Sequence, residues 1–470
     1  MRFPLTPKTE HGRVLGYRAT AKAPVAQVFV GGTTSDPPHS PKGPTPSQAK
    51  KLASKRSFLQ KLGPGLVTGA SDDDPSGIAT YSQVGAQFGL GMLWTMLFSY
   101  PLMAAIQEIC ARIGRVTGSG IANNIRKHYP RPVLYGIVSL LCVANIFNLG
   151  ADIGAMAAAA QLLLGGAVTF YVLFFGLLSL LSQAYIPYSS YVNYLKWMTT
   201  ALFAYVATAF VVHVPWQDVI HATLLPSISL NSTYFTGLVA VLGTTISPYL
   251  FFWQASQEAE EVKVRPAEEP LKRAPWQAFE QLLRIKIDTY VGMGFSNVVA
   301  FFIILTTAVT LHVAGVRNVE TSAQAAKALQ PLAGHLAFVL FAAGIIGTGL
   351  LAVPVLAGSA AYGVAEAFQW RASLESKPNR APKFYGVLAA ATLIGLSLNF
   401  MGINPIRALF LAAVLNGLIS APLMVITMLL AANPKIMGRF TLSLPLKVAG
   451  WIATAVMLLV SLGFFVSQKG

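Results

Sequence analysis

The chain has 470 residues, 54% of them hydrophobic and 11% charged, and its mean hydropathy is +0.57. That balance excludes a soluble multidomain protein and indicates a polytopic membrane protein. The net charge of +16 does not signal nucleic acid, because Lys and Arg gather in the N-terminal stretch and in alternate loops, the positive-inside pattern.

Residues 1–56 are a separate compositional unit in which Pro37, Pro38, Pro41, Pro44 and Pro46 alternate with Ser, Thr and Gly. Basic residues there outnumber Glu10 and Asp36, and the stretch has neither a signal-peptide core nor enough apolar residues to pack. It is expected to be a disordered basic tail that stays in the cytoplasm, followed by a transmembrane domain over 57–470.

The first apolar run, 58–88, is interrupted by Asp72-Asp73-Asp74-Pro75-Ser76-Gly77. Three carboxylates within hydrocarbon cost several kcal/mol, Pro75 removes a backbone donor and Gly77 loosens the next turn. Backbone broken at mid-depth is tolerated only where it lines a cavity or meets a ligand, so the stretch indicates a cation site. Further spans are expected at about 91–113, 133–160, 168–186 and 193–213. The sixth, about 233–257, is broken at Thr244-Thr245-Ile246-Ser247-Pro248-Tyr249. Five more follow at about 288–312, 335–363, 384–400, 405–431 and 444–466.

The fold class is therefore all-α and integral to the membrane, with about 11 transmembrane helices. Loops after even-numbered spans hold the Lys and Arg, whereas the loop from His213 to Tyr234 has none, so the N-terminus is expected inside and Gly470 outside. If spans 1–5 and 6–10 are repeats, the odd number in each inverts the second, and each repeat opens with a broken helix. That is the leucine-transporter (LeuT) architecture, with its site between the repeats near the midplane.

Other polar residues within the spans each have a structural reading. Glu108 and Arg112 are spaced for an i,i+4 ion pair. Asp152 sits mid-span, either as a packing contact or on an ion path. Asn416 faces either the site or a neighbouring helix. Glu366 is expected to snorkel, and the run from Glu258 to Arg273 reads as a solvated mixed-charge loop. Cys110 and Cys142 both lie in apolar spans and are expected to be unpaired packing residues. No Gly-rich phosphate loop, His or Cys pair with metal-ligand spacing, or nucleophile elbow occurs, so the chain is not expected to be an enzyme or to hold a cofactor.

From about 58 to 466 the sequence resembles the natural resistance-associated macrophage protein (Nramp) family of divalent metal transporters. The resemblance is carried by Gly63-Pro64-Gly65, Asp74-Pro75, the stretch Ala111-Arg112-Ile113-Gly114-Arg115-Val116-Thr117-Gly118, Pro248, and Lys435-Ile436-Met437-Gly438. Departures from the family pattern fall on the site. The metal-binding Asn is replaced by Gly77, and the Met-Pro-His motif by Ser247-Pro248-Tyr249. Gln254 stands for a second His, and Asn148 and Ala151 stand for the acids of the proton route, with Asp152 displaced by one position. The pattern looks like the Nramp-related magnesium transporters, where the same ligands are lost.

The resemblance implies Asp74 as principal metal ligand, with backbone carbonyls near Ser71 and Thr244, and with Gly77 and Ser247 leaving room for water. Asp72, Asp73, Glu108, Asn148, Asp152, Tyr249, Gln254 and Asn416 are candidates for a gate or ion pathway. A thioether favours softer metals, whereas carboxylate, carbonyl and water suit Mg²⁺ and Mn²⁺. The expected function is secondary transport of Mg²⁺ or Mn²⁺ into the cytoplasm, weakly or not coupled to protons. The expected partners are the ion and the lipid bilayer of a bacterial inner membrane, with no obligate protein partner and no nucleic acid. Two alternatives stay open on the sequence: a proton-coupled Mn²⁺ or Fe²⁺ transporter of the ordinary family type, and a carrier of amino acids or amines on the same fold.

Overall fold

The computed structural model describes residues 64–186, 198–265 and 267–468. The basic tail expected over 1–56 and part of the fifth expected span lie outside the described residues. Among the described residues the secondary structure is helical throughout, and every expected span has a helix at its place.

The first span is α1 (Pro64–Asp72) followed by α2 (Pro75–Phe88), and the second is α3 (Trp94–Thr117). After the short α4 (Ile121–His128) come α5 (Arg131–Leu164) and α6 (Val168–Tyr185). The end of the fifth span is α7 (Phe203–Val211), and α8 (Trp216–Leu224) lies in the loop that follows. The sixth span is α9 (Ser232–Thr245) with α10 (Pro248–Val264). The remaining spans are α11 (Ala278–Thr307), α12 (Ala337–Ala367), α13 (Pro382–Leu398), α14 (Pro405–Ala432) and α15 (Leu444–Ser467). Among the described residues seven segments are individually long and apolar enough to cross a membrane, the pair α9–α10 (Ser232–Val264) one of them. The stretches Pro75–Met92 and Trp94–Thr117 qualify together across a bend of 109°, while Thr200–Val211 and Pro382–Leu398 are shorter apolar helices. Phe170, Phe210, Leu230 and Leu459 are exposed on the outside, as lipid-facing side chains would be.

Both breaks follow from proline chemistry. A residue preceding Pro is pushed out of the helical region, and Asp74 is extended, at φ −67° and ψ 169°. Pro75 then occupies the first position of α2, where its missing N–H costs nothing. At the second break Ser247 is likewise extended, at φ −78° and ψ 129°, and Pro248 opens α10.

The half-helices are held in place by close packing. α1 lies on α11 through Gly69, where an added Cβ would fall 2.2 Å from the Gly292 carbonyl oxygen. α9 meets α14 in the same way, a Cβ on Gly243 coming within 2.1 Å of the Ala413 oxygen. Such backbone-to-backbone approach is how membrane helices associate without a hydrophobic driving force. α1 also touches α10 and α12, while α2 touches α5, α9 and α14. The two breaks therefore meet in the middle of the bundle. Cys110 and Cys142 are both unpaired.

Candidate metal site

Asp74 is both the N-cap of α2 and the centre of the site. Its Oδ1 accepts from the Ser76 hydroxyl at 2.6 Å and from the Gly77 N–H at 2.7 Å. Its Oδ2 accepts from the Asn148 amide at 2.9 Å, and the Tyr249 hydroxyl oxygen lies 3.4 Å from it. One carboxylate thus joins α2, α5 and α10. Its exposure is 1%, so the pocket around it is closed to bulk water in this conformation.

The carbonyls beside the breaks already have donors. Tyr249 donates to the Ser71 oxygen at 2.8 Å, and Ser247 donates to the Thr244 oxygen at 2.7 Å. Ser420 of α14 donates to the Ile246 oxygen at 2.7 Å. A carbonyl has two lone pairs, and the Ser247 hydroxyl is turned onto its own helix. A Cβ at Gly77 would lie 3.1 Å from Thr244 Oγ1, which puts Gly77 directly between the two breaks.

The other two acids of the triplet point elsewhere. Asp72 and Asp73 both reach Ser296 of α11, whose hydroxyl lies 2.7 Å from Asp72 Oδ2 and 3.0 Å from Asp73 Oδ1. Gln254 accepts from Thr68 across the α1–α10 contact. Asp152 is buried with neither oxygen in a hydrogen bond, and both polar atoms of Asn416 are likewise without partners. Glu108 pairs with Arg112 at 2.5 Å, one turn apart on α3 and away from Asp74. The structure therefore brings Ser71, Asp74, Gly77, Asn148, Thr244, Ser247 and Tyr249 together and leaves Glu108 apart.

Two readings of the sequence need correction. The run from Glu258 to Arg273 is solvated only in part: Lys263, Arg265, Glu269, Lys272 and Arg273 are exposed, but the acids that α10 carries are not. Glu258 is fully buried and pairs with Arg284 at 2.6 Å, and the fully buried Arg115 pairs with Glu268 at 2.6 Å. Arg265 closes the network onto Glu261 and Glu268 at 3.1 Å each. α10 runs deep enough to bury its acids, and α3 and α11 carry the arginines to meet them. Nor does Glu366 snorkel: it accepts from the Asn123 N–H at 3.1 Å at the start of α4 and from Ser256 at 3.2 Å. The site residues missed in sequence reasoning are hydroxyls: Ser76, beside its partner Asp74, and Ser296 and Ser420, whose partners lie far away in the chain. Only Ser76, two residues after an N-cap Asp, carried a local signal.

A polar cavity of about 620 Å³ lies at the far end of α2 and the starts of α9 and α14, lined by Gln83, Gln87, Thr236, Asn318, Glu320 and Arg407.

The natural resistance-associated macrophage protein-like family matches residues 65–467. The chain belongs to the Nramp family of divalent metal transporters. It is thus a multi-pass membrane transporter, not an enzyme, and the metal is its cargo and not a resident cofactor. It is similar to the divalent metal cation transporter MntH of Klebsiella pneumoniae (strain 342), at 26% identity over 417 residues, covering 86% of this chain and 93% of that one. Among solved structures, the Eremococcus coleocola manganese transporter, crystallised with an aromatic bis-isothiourea compound, superposes with a TM-score of 0.67 at 18% identity, 87% of each chain being covered. Mhp1, a nucleobase-cation-symport-1 family transporter in a closed conformation, superposes at 0.52 with 14% identity, over 88% of this chain and 94% of that one. The fold is the LeuT-type inverted repeat, and in this Nramp chain both broken helices meet at Asp74.

Proposed function

We propose that the protein carries Mg²⁺ or Mn²⁺ into the cytoplasm of a bacterial cell, driven by the membrane potential with little or no proton coupling. The observation that carries this reading is the Asp74 carboxylate at the junction of both broken helices, with hydroxyl, amide and backbone N–H groups as its polar neighbours. Ser247 stands where the family places its metal-binding Met, and its hydroxyl is held on the Thr244 carbonyl. Among the described residues no three His, Cys, Asp or Glu side chains form a cage. That suits an ion held by one or two carboxylates, carbonyls and its own waters, as Mg²⁺ is. The names of the relatives, a divalent metal cation transporter and a manganese transporter, agree with the cation class.

Weak proton coupling is supported by the middle of α5, where Asn148 and Ala151 cannot carry a proton and Asp152 is the one acid of the helix. α13, packed on α5, bears only Lys383 and Tyr385 as titratable groups, both in its first turn. The potential suffices without protons, since a divalent ion gains roughly 4.6 kcal/mol per 100 mV. With the N-terminus cytoplasmic, the polar cavity at the end of α2 opens outside and serves as the entry vestibule.

The test is uptake of Mg²⁺, Mn²⁺ and Ca²⁺ into proteoliposomes with internal pH recorded. Wild-type protein is expected to load Mg²⁺ or Mn²⁺ without stoichiometric acidification, and Asp74→Ala to lose uptake while remaining folded. Near-normal uptake by Asp74→Ala would refute the site, and stoichiometric acidification would refute uncoupled entry.

A further inference from the structure

Asp74 has little unused hydrogen-bonding capacity. A carboxylate offers about four lone-pair positions, and Asp74 gives two to Ser76 and Gly77 on one oxygen and one to Asn148 on the other. The Tyr249 hydroxyl, whose one proton goes to the Ser71 oxygen at 2.8 Å, stands 3.4 Å from the position that is left, and an ion taking that position gains one direct ligand. Asp152 is the reverse case. It is fully buried, and neither oxygen has a hydrogen-bonding partner among the protein groups. It lies one turn along α5 from Asn148, and positions four apart share a helix face with Cβ atoms about 5–6 Å apart. Because Asn148 is bonded to Asp74, Asp152, four residues on, faces the same space. A bare carboxylate at this depth costs several kcal/mol unless a cation or donor meets it.

We propose that Asp152 is the second carboxylate of the ion site, accepting hydrogen bonds from the waters a hydrated divalent cation keeps. This rests on the divalent-cation reading above. An Mg–oxygen bond of about 2.0–2.1 Å plus a water-to-carboxylate contact of about 2.7 Å lets an ion on Asp74 reach a carboxylate up to about 4.8 Å from the ion through one water. Two carboxylates, one inner and one acting through water, balance the charge of a divalent ion. Ser247 and Gly77 carry less side-chain bulk than Met and Asn, and Thr244 is the side chain that must give way at Gly77 for those waters to enter. The residue that selects a hydrated ion is then on α5, outside both broken helices.

The experiment compares wild type, Asp152→Asn and Asp74→Ala, each intact and checked as folded by gel filtration. Uptake is measured in proteoliposomes for Mg²⁺, and for Cd²⁺, which sheds water more readily. Hexaamminecobalt(III), whose ligand shell does not exchange, is added as an analogue of the hydrated ion. In Asp152→Asn the KM for Mg²⁺ is expected to rise about tenfold with maximal rate held within about threefold, the effect of losing one charge-assisted hydrogen bond. The KM for Cd²⁺ should rise less, and inhibition by hexaamminecobalt(III) should weaken in parallel with Mg²⁺. An Mg²⁺ KM within twofold of wild type would overturn the assignment, and so would an equal rise for both ions. Loss of a proton signal with unchanged Mg²⁺ KM would make Asp152 a proton carrier and overturn it as well. If Asp152→Asn does not fold, Asp152→Ser carries the same test. A wild-type protein that loads no divalent ion would overturn the reading beneath, whatever Asp152 does.

Discussion

Tyr249→Phe separates the stability of the apo protein from its affinity for the ion. The hydroxyl donates to the Ser71 oxygen at 2.8 Å and reaches Asp74 Oδ2 at 3.4 Å, so it holds the two groups an ion needs. Tyr249 is fully buried, and its ring is wedged at the start of α10 with Ser359 donating to its backbone oxygen at 2.8 Å, so Phe should keep the same position. Removing the hydroxyl takes one hydrogen bond from the apo state, about 1 kcal/mol net. The apo protein should melt lower by about 1 °C, taking about 2.1 cal/mol/K of unfolding entropy per residue. The ion no longer has to displace the hydroxyl, so the same 0.5–1.5 kcal/mol returns as affinity, roughly a 2- to 12-fold lower Kd. The assays are thermal unfolding of the purified protein without metal and calorimetric titration with Mn²⁺ and Mg²⁺. Opposite signs in the two measurements support a competing hydroxyl. A weaker Kd alongside a lower melting temperature would refute the reasoning and make the Tyr249 oxygen a ligand.

Ser247→Met should shift the preference from Mg²⁺ toward Mn²⁺ and Cd²⁺ in competition uptake, by adding a soft ligand. Adding Gly77→Asn crowds Thr244 Oγ1, 3.1 Å from the new Cβ, so the pair should express better with Thr244→Ala than without it. Arg115→Met leaves Glu268 without its 2.6 Å partner and Glu258 with Arg284 alone, and should cost about 3–5 kcal/mol, read as a large drop in melting temperature that Glu268→Gln partly restores. The pH dependence follows from Glu268 in the loop between α10 and α11. Burial raises its carboxyl, but hydrogen bonding and charge from Arg115, then Arg265, outweigh this and hold it below its ordinary value of 4.5. A lowered folded value means the pair contributes fully above that ordinary range and is lost as pH falls through the folded value. The acid side of the melting-temperature profile should therefore flatten in Glu268→Gln, while the profile at neutral pH and above keeps its shape.

The spans, their order and both breaks were legible in the chain because each rests on local chemistry. Apolar runs report the bilayer thickness, and Pro75 and Pro248 stop helices wherever they occur. Asp74 could be singled out for the same reason: an Asp before a helix-opening Pro is an N-cap in any fold. The partners of these groups were not legible, because they come from elements distant in sequence. Ser296 on α11 takes up Asp72 and Asp73, Ser420 on α14 occupies the Ile246 carbonyl, and Asn148 on α5 reaches Asp74. The run after Glu258 was misjudged on the same ground, since charge density along a chain does not tell whether Arg115 and Arg284 come to meet it. Asp152 shows the division most clearly. The sequence identifies an acid in a membrane helix, which costs energy in any arrangement, whereas only the packing of α5 on α2 turns its unpartnered oxygens toward the same space as Asp74.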